Sequence, residues 1–115
     1  MADPSVDMTT VGRCLVARVS GDMDYLTDPV FRARFKELVV RGERFIVLDL
    51  SGVSFCDSAG LNVLLGARRQ ADDVGAVLVL ACVPDLLRRV LEMTGADRVL
   101  RVFDTVTDAE AVFGR

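Results

Sequence analysis

Apolar residues along this chain fall into two kinds of run, and the two kinds alternate. "RFIVLDL" (Arg44 to Leu50) and "AVLVLACV" (Ala76 to Val83) are short and almost continuously apolar. This is the pattern of central strands buried on both faces. Around them, apolar residues recur three and four positions apart, which is the helical period. Val30, Phe31, Phe35, Leu38 and Val39 form one such stripe, with Arg32, Arg34, Lys36 and Glu37 between them. Leu61, Leu64, Leu65 and Ala71 form a second, within a helix predicted over Ser58 to Asp73. Leu86, Leu87, Val90, Leu91 and Met93 form a third, starting after Pro84 and ending near Gly95. A looser alternation over Gly12 to Val19 predicts an opening strand. "SGDMDYLTDP" then reads as a turn-rich connection with room for a second short strand at its start. "RVLRVF" predicts a late strand, and Thr107 or Asp108 opens a last short helix ending near Phe113.

Local signals set the boundaries. Asp28 is placed to cap the first helix, with Pro29 at its first helical position and Gly42 as its stop. "SGVSF" reads as a turn after the first central strand, with Ser51 and Ser54 as turn formers. Strands that alternate with helices pair in parallel through helical crossovers. The expected fold is therefore α/β, with a mixed sheet of four to five strands and about four helices.

Composition narrows the class. A length of 115 residues fits one domain, 1–115. Its 51% hydrophobic and 27% charged content is that of a globular chain. The net charge of -3 and the scattered arginines argue against a nucleic-acid or anionic-lipid partner. "MADPSVDM" has no basic segment followed by an apolar one, so it does not read as a leader. "GAVLVLACV" is far shorter than the roughly 20 residues that span a bilayer. The expectation is a cytoplasmic protein that does not enter the membrane. Cys14, Cys56 and Cys82 are odd in number and widely spaced, and read as reduced, mostly buried cysteines.

Much enzyme chemistry lacks its parts. The chain has no histidine, which removes a Ser-His-Asp triad and any histidine-bearing zinc site. It has no glycine-rich phosphate loop, and Lys36 is its only lysine. Ser58, in "SFCDSAGLNVLLGARRQ", is a hydroxyl with no base to activate it. Its position at the start of a helix makes it a candidate N-cap, with Asp57 either reinforcing it through the helix dipole or taking the cap itself. The same position would tolerate a phosphate. That group adds roughly −1.5 to −2 charges at neutral pH. If the loop holding Asp22 and Asp24 lies close, the charges gather in one patch and repel a partner that accepts the hydroxyl. Asn62, Gly66 and Arg69 fall on the side of the helix opposite Leu61, and small Asn62 and Gly66 would let another chain approach. Met23, Tyr25 and Leu26 can form an exposed patch or pack inward; the sequence leaves both open, and with them the choice between a monomer and a weak dimer.

Three segments, "VSGDMD", "FIVLDLSGVSFCDSAGLNVLLGARRQA" and "GAVLVLACVPDLLRRVLEMTGADRVLRVFDTVTDA", together resemble the STAS-domain anti-sigma factor antagonists of bacteria. The resemblance runs from about Val11 to Phe113, and its most specific part is Asp-Ser-x-Gly-Leu after a strand ending Leu-Asp-Leu. It implies a single STAS domain whose helices pack mainly on one side of the sheet. It also implies a partner-switching protein with no catalytic residue and no cofactor of its own. The unmodified form would bind an anti-sigma factor that is also a serine kinase, freeing a sigma factor. That kinase, with ATP and magnesium on its own chain, would inactivate the antagonist by phosphorylating Ser58, and a metal-dependent serine phosphatase would reverse this. The family's acidic loop position falls on Asp24, and the acid of its motif on Asp57. The partner face so implied holds Asp22, Asp24, Asp57, Ser58, Ala59, Asn62 and Gly66. Ala59 removes the second acceptor that many members carry, and Asn62 adds bulk where glycine is frequent. A STAS module of a stress-sensing or lipid-transport assembly, acting by binding alone, is the alternative.

Overall fold

The computed structural model describes residues 3–113, just short of the 1–115 assigned to the domain at both ends. Five strands form one sheet in the order β1-β2-β3-β4-β5: Ser5–Val11, Cys14–Met23, Phe45–Cys56, Val77–Ala81 and Val102–Phe103. Helices α1 (Asp28–Val40), α2 (Ser58–Asp73), α3 (Asp85–Thr94) and α4 (Val106–Phe113) connect or follow them. β1 is antiparallel to β2, and the remaining neighbours are parallel. The mixed five-stranded sheet with four helices agrees with the expected fold class.

The alternation of the central strands divides the interior in two. Leu15, Ala17, Val19, Ile46, Leu48, Leu50, Leu78 and Leu80 point to one face, where Phe31 and Phe35 of α1, Leu61 and Leu64 of α2 and Leu87 and Leu91 of α3 cover them. Cys14, Val16, Val47, Val79 and Ala81 point to the other face, which α4 covers through Ala109. Phe113 of α4 stacks on Phe45 at 5.5 Å between ring centres. Three helices thus lie on one side and one on the other.

The opening strand pair differs from the sequence expectation. The first strand is Ser5–Val11, and "GRCLVARV" belongs to the second, which runs on through Met23. Val11 pairs with Cys14 across the two-residue turn Gly12–Arg13. Gly12 adopts φ +59°, the positive angle that a tight hairpin turn of this kind requires at its first position. Only Val6 of β1 is fully buried, so its apolar pattern is faint. In a two-residue hairpin the flanking pair exchanges hydrogen bonds, which turns the backbone of Val6, Met8 and Thr10 outward. Arg34 of α1 closes one of those outward groups, donating to the Val6 carbonyl at 2.8 Å.

"SGVSF" is not a turn. β3 continues through it to Cys56, with Ser51 and Ser54 inside the strand. Two register irregularities along β2 absorb extra residues of β3, between Arg18 and Ser20 and between Gly21 and Asp22. Extra residues of this kind bend a strand without ending it. The stretch carries β3 past β4, whose pairing stops at Asp49–Ala81. The late strand is also shorter than expected, because Ala96–Arg98 forms a 3-10 turn and only Val102 and Phe103 pair.

Candidate functional site

The two longest strands, β2 and β3, end side by side: Met23 pairs with Cys56. Just beyond, the Asp57 N–H donates to the Met23 carbonyl at 3.1 Å, and α2 begins. The Asp22–Asp24 segment and the Ser58 turn are therefore joined through backbone, as the sequence analysis required for a shared patch. Asp22, Asp24 and Asp57 are part-exposed and Ser58 is exposed.

The cap of α2 is Asp57, not Ser58. Its Oδ1 accepts from the backbone N–H of Ala59 at 2.9 Å and of Gly60 at 3.1 Å, and Ser58 is the first residue of the helix proper. A carboxylate one atom longer than a hydroxyl reaches both N–H groups from the extended backbone at position 57 and carries the charge the helix dipole favours. Ser58 is thereby released from structural duty and left on the surface. A phosphate there would add its charge to that of Asp57 rather than replace a cap. Asp57→Ala is expected to cost about 1 kcal/mol of stability and Asp57→Asn much less, since asparagine caps as well. Urea unfolding of the two variants measures the difference.

α1 shows the same one-residue displacement. Its N-cap is Thr27, with Asp28 and Pro29 inside the first turn and Asp28 paired with Arg32. Ahead of it, the Asp24 carboxylate folds back on its own loop, accepting from the N–H groups of Leu26 and Thr27, each at 3.0 Å. Thr27 is a site residue the sequence analysis missed; the Asp-x-x-Thr spacing, in which each side chain can reach the other's backbone, is the signal that could have found it.

Behind Ser58 the site is tightly packed. Gly60 lies against the Met23 carbonyl, and an added Cβ would stand 2.8 Å from the Cys56 sulfur. Burial pushes the Cys56 thiol up to about 12, with the Asp57 charge adding to the effect, so Cys56 is a neutral thiol at physiological pH. Further along α2, Asn62 and Arg69 are exposed, as the helical wheel implies. Gly66 is part-covered instead: it borders a groove against α1, with Arg32 Nη1 3.7 Å from where its Cβ would stand. That groove, and not an open face, is what the small residue at 66 adjoins. Ala59 is part-buried. Among the described residues no cluster of histidine, cysteine or acidic side chains is arranged to hold a metal ion, and no helix is long and apolar enough to cross a membrane.

The fold and the sequence are shared with known proteins. The STAS domain family matches residues 5–109. The anti-sigma F factor antagonist of Paenibacillus polymyxa is 30% identical over 83% of this chain and 82% of that protein. The crystal structure of an anti-sigma factor antagonist from Mycobacterium paratuberculosis superposes with a TM-score of 0.86 at 24% identity, covering 96% of this chain and 93% of that one. The Bacillus antagonist SpoIIAA matches in two solved forms. The unphosphorylated form has a TM-score of 0.66 at 22% identity, covering 94% of each chain. The phosphorylated form has a TM-score of 0.68 at 20% identity, covering 94% of this chain and 99% of that one. With its family match, its sequence and its fold in agreement, this chain belongs to the STAS domain family of anti-sigma factor antagonists.

Proposed function

We propose that this chain is a phosphorylation-switched antagonist: unmodified, it holds an anti-sigma factor serine kinase and so frees a sigma factor; phosphorylated on Ser58, it lets go. The observation that carries this is the exposed Ser58 on the first turn of α2, relieved of capping by Asp57. The chain's part is that of a substrate. The kinase supplies ATP, magnesium and the base that takes the Ser58 proton. The Ser58 oxygen forms a bond to the γ-phosphorus as the bond to the departing ADP breaks. A phosphatase later directs water at the same phosphorus and restores the hydroxyl. The absence of histidine is no obstacle to a residue that is acted upon. That SpoIIAA has been solved with and without its phosphate, both forms matching this fold about equally, supports a switch that alters surface and leaves architecture alone. The acidic, membrane-avoiding chain would work in the cytoplasm, where such kinases find ATP.

The test is transfer. The purified chain is incubated with ATP, magnesium and each anti-sigma factor serine kinase of its source, and its intact mass is measured. One added phosphate on the natural chain and none on Ser58→Ala is expected, with Ser58→Ala still binding the kinase. Transfer that persists in Ser58→Ala would place the switch elsewhere.

A further inference from the structure

The loop between β2 and α1 puts two large apolar side chains into water. Tyr25, the only tyrosine, is 71% exposed and Leu26 is 60% exposed, while Met23 beside them is completely buried. A reciprocal hydrogen-bond lock fixes the backbone that carries them. The Asp24 Oδ1 holds the N–H groups of Leu26 and Thr27, and the Thr27 hydroxyl donates to the Asp22 carbonyl at 2.8 Å and accepts from the Asp24 N–H at 3.0 Å. The lock spans residues 22 to 27 and leaves the side chains of Tyr25 and Leu26 outward, with Met23 inward. The same loop is tied to the Ser58 turn by the Asp57-to-Met23 hydrogen bond.

We propose that Tyr25 and Leu26 are the apolar anchor for the protein partner that reads Ser58, and that Asp24 and Thr27 are positioning residues that present this anchor without touching the partner. The inference rests on the switch reading above. Its reasoning is pre-organisation. Ordering a loop at an interface costs affinity, and a loop ordered beforehand avoids that cost. Tyrosine is among the side chains that dominate interface energies, and one whose position is already fixed is best placed to do so. Charge selects the kind of partner. Asp22 opens the same loop and Asp57 is bonded to it at Met23, and carboxylates there repel the phosphates of nucleic acid and of anionic lipid. The complementary surface is a protein cleft with an apolar floor and a neutral or basic rim.

The lock makes the two roles separable. Asparagine at position 24 keeps an Oδ1 acceptor and loses the charge; alanine loses both. With the kinase that phosphorylates Ser58 in the transfer assay, dissociation constants and the steady-state parameters of transfer are measured for each variant. Tyr25→Ala/Leu26→Ala is expected to bind at least about tenfold more weakly, with an unchanged melting temperature and kcat and the loss confined to KM. Asp24→Ala and Thr27→Val are expected to weaken binding similarly and to speed amide exchange at Leu26 and Thr27. Asp24→Asn and Thr27→Ser are expected to restore both to near the natural values. Unchanged KM in Tyr25→Ala/Leu26→Ala overturns the anchor and leaves the switch standing. Asp24→Asn as weak as Asp24→Ala overturns the positioning role, because the charge itself is then the contact. Failure of every anti-sigma serine kinase to phosphorylate the natural chain overturns the switch reading and this inference with it.

Discussion

Alanine at position 60 is expected to lower stability by about 2 kcal/mol, and alanine at position 66 of the same helix to raise it by up to about 1 kcal/mol. Helix propensity alone predicts a gain at both, since glycine is the poorer helix former by about 1 kcal/mol. Packing reverses the sign at Gly60. Its missing Cβ is the space taken by the Met23 carbonyl, with the Cys56 sulfur and Met23 Cβ each 2.8 Å from that point. The carbonyl has nowhere to go, because it is held by the Asp57 N–H. Forcing a methyl group into a close-packed site costs typically 1–3 kcal/mol. At Gly66 the added methyl meets only the far end of Arg32, at ordinary contact distance. Urea unfolding of the two single variants decides between propensity and packing. A Gly60→Ala protein as stable as the natural one would mean that α2 does not dock on the end of β2 as described. The same variant tests the site: tilting α2 away from Met23 moves Ser58 relative to the Asp22–Asp24 loop, so its phosphorylation should slow more than that of Gly66→Ala.

That contrast shows what the sequence discloses and what it withholds. Periodicity located α2 from Ser58 to Asp73, the boundaries found in the structure, because a strongly amphipathic stripe and a cap signal agree there. β4 and the core of β3 were legible for a related reason: a strand buried on both faces has no polar positions to obscure it. β1 was not legible, because one buried residue in seven leaves no alternation to read. "SGVSF" misled because serine and glycine are turn residues by local preference, whereas pairing with β2 decides their conformation here. α3 shows the limit of stripe reading. Leu86 and Met93 share its apolar pattern with Leu87 and Leu91, yet they are 74% and 87% exposed while the latter two are buried. At the site, the Asp-Ser pair was plain in the sequence. Which of the two capped the helix depended on backbone geometry at one residue. The Asp24–Thr27 lock leaves only its Asp-x-x-Thr spacing in the sequence, a weak signal because both are common loop residues whose meeting is settled by the turn between them.

Ser58→Asp is expected to leave the fold intact and to weaken kinase binding by about 3 kcal/mol, more than a hundredfold. The first half follows from the cap. Asp57 already satisfies the N–H groups of Ala59 and Gly60, so a second carboxylate at the exposed position 58 removes no hydrogen bond. A negative charge in the first turn also gains about 0.3–1 kcal/mol from the helix dipole, which offsets its repulsion from Asp57. Circular dichroism and melting temperature should therefore stay near the natural values. The second half follows from the company the new charge keeps. Asp57 adjoins it and Asp22 lies across the β2–β3 junction, and a partner shaped for a hydroxyl beside two carboxylates must take in a third. Like charges brought together at an interface cost several kcal/mol, and a phosphate, with its larger charge, costs more than an aspartate. Ser58→Asn supplies the control, having nearly the same size and no charge. If charge dominates, the asparagine variant binds far more tightly than the aspartate variant, and added salt narrows the gap, because exposed charges are screened over roughly 8–10 Å at moderate ionic strength. If both bind equally weakly whatever the salt, the partner is reading size alone, and the acidic residues around Ser58 have some other task. If Ser58→Asp loses its helical signal, the Asp57 cap cannot stand beside a second negative charge, and the switch works by unfolding α2 rather than by changing its surface.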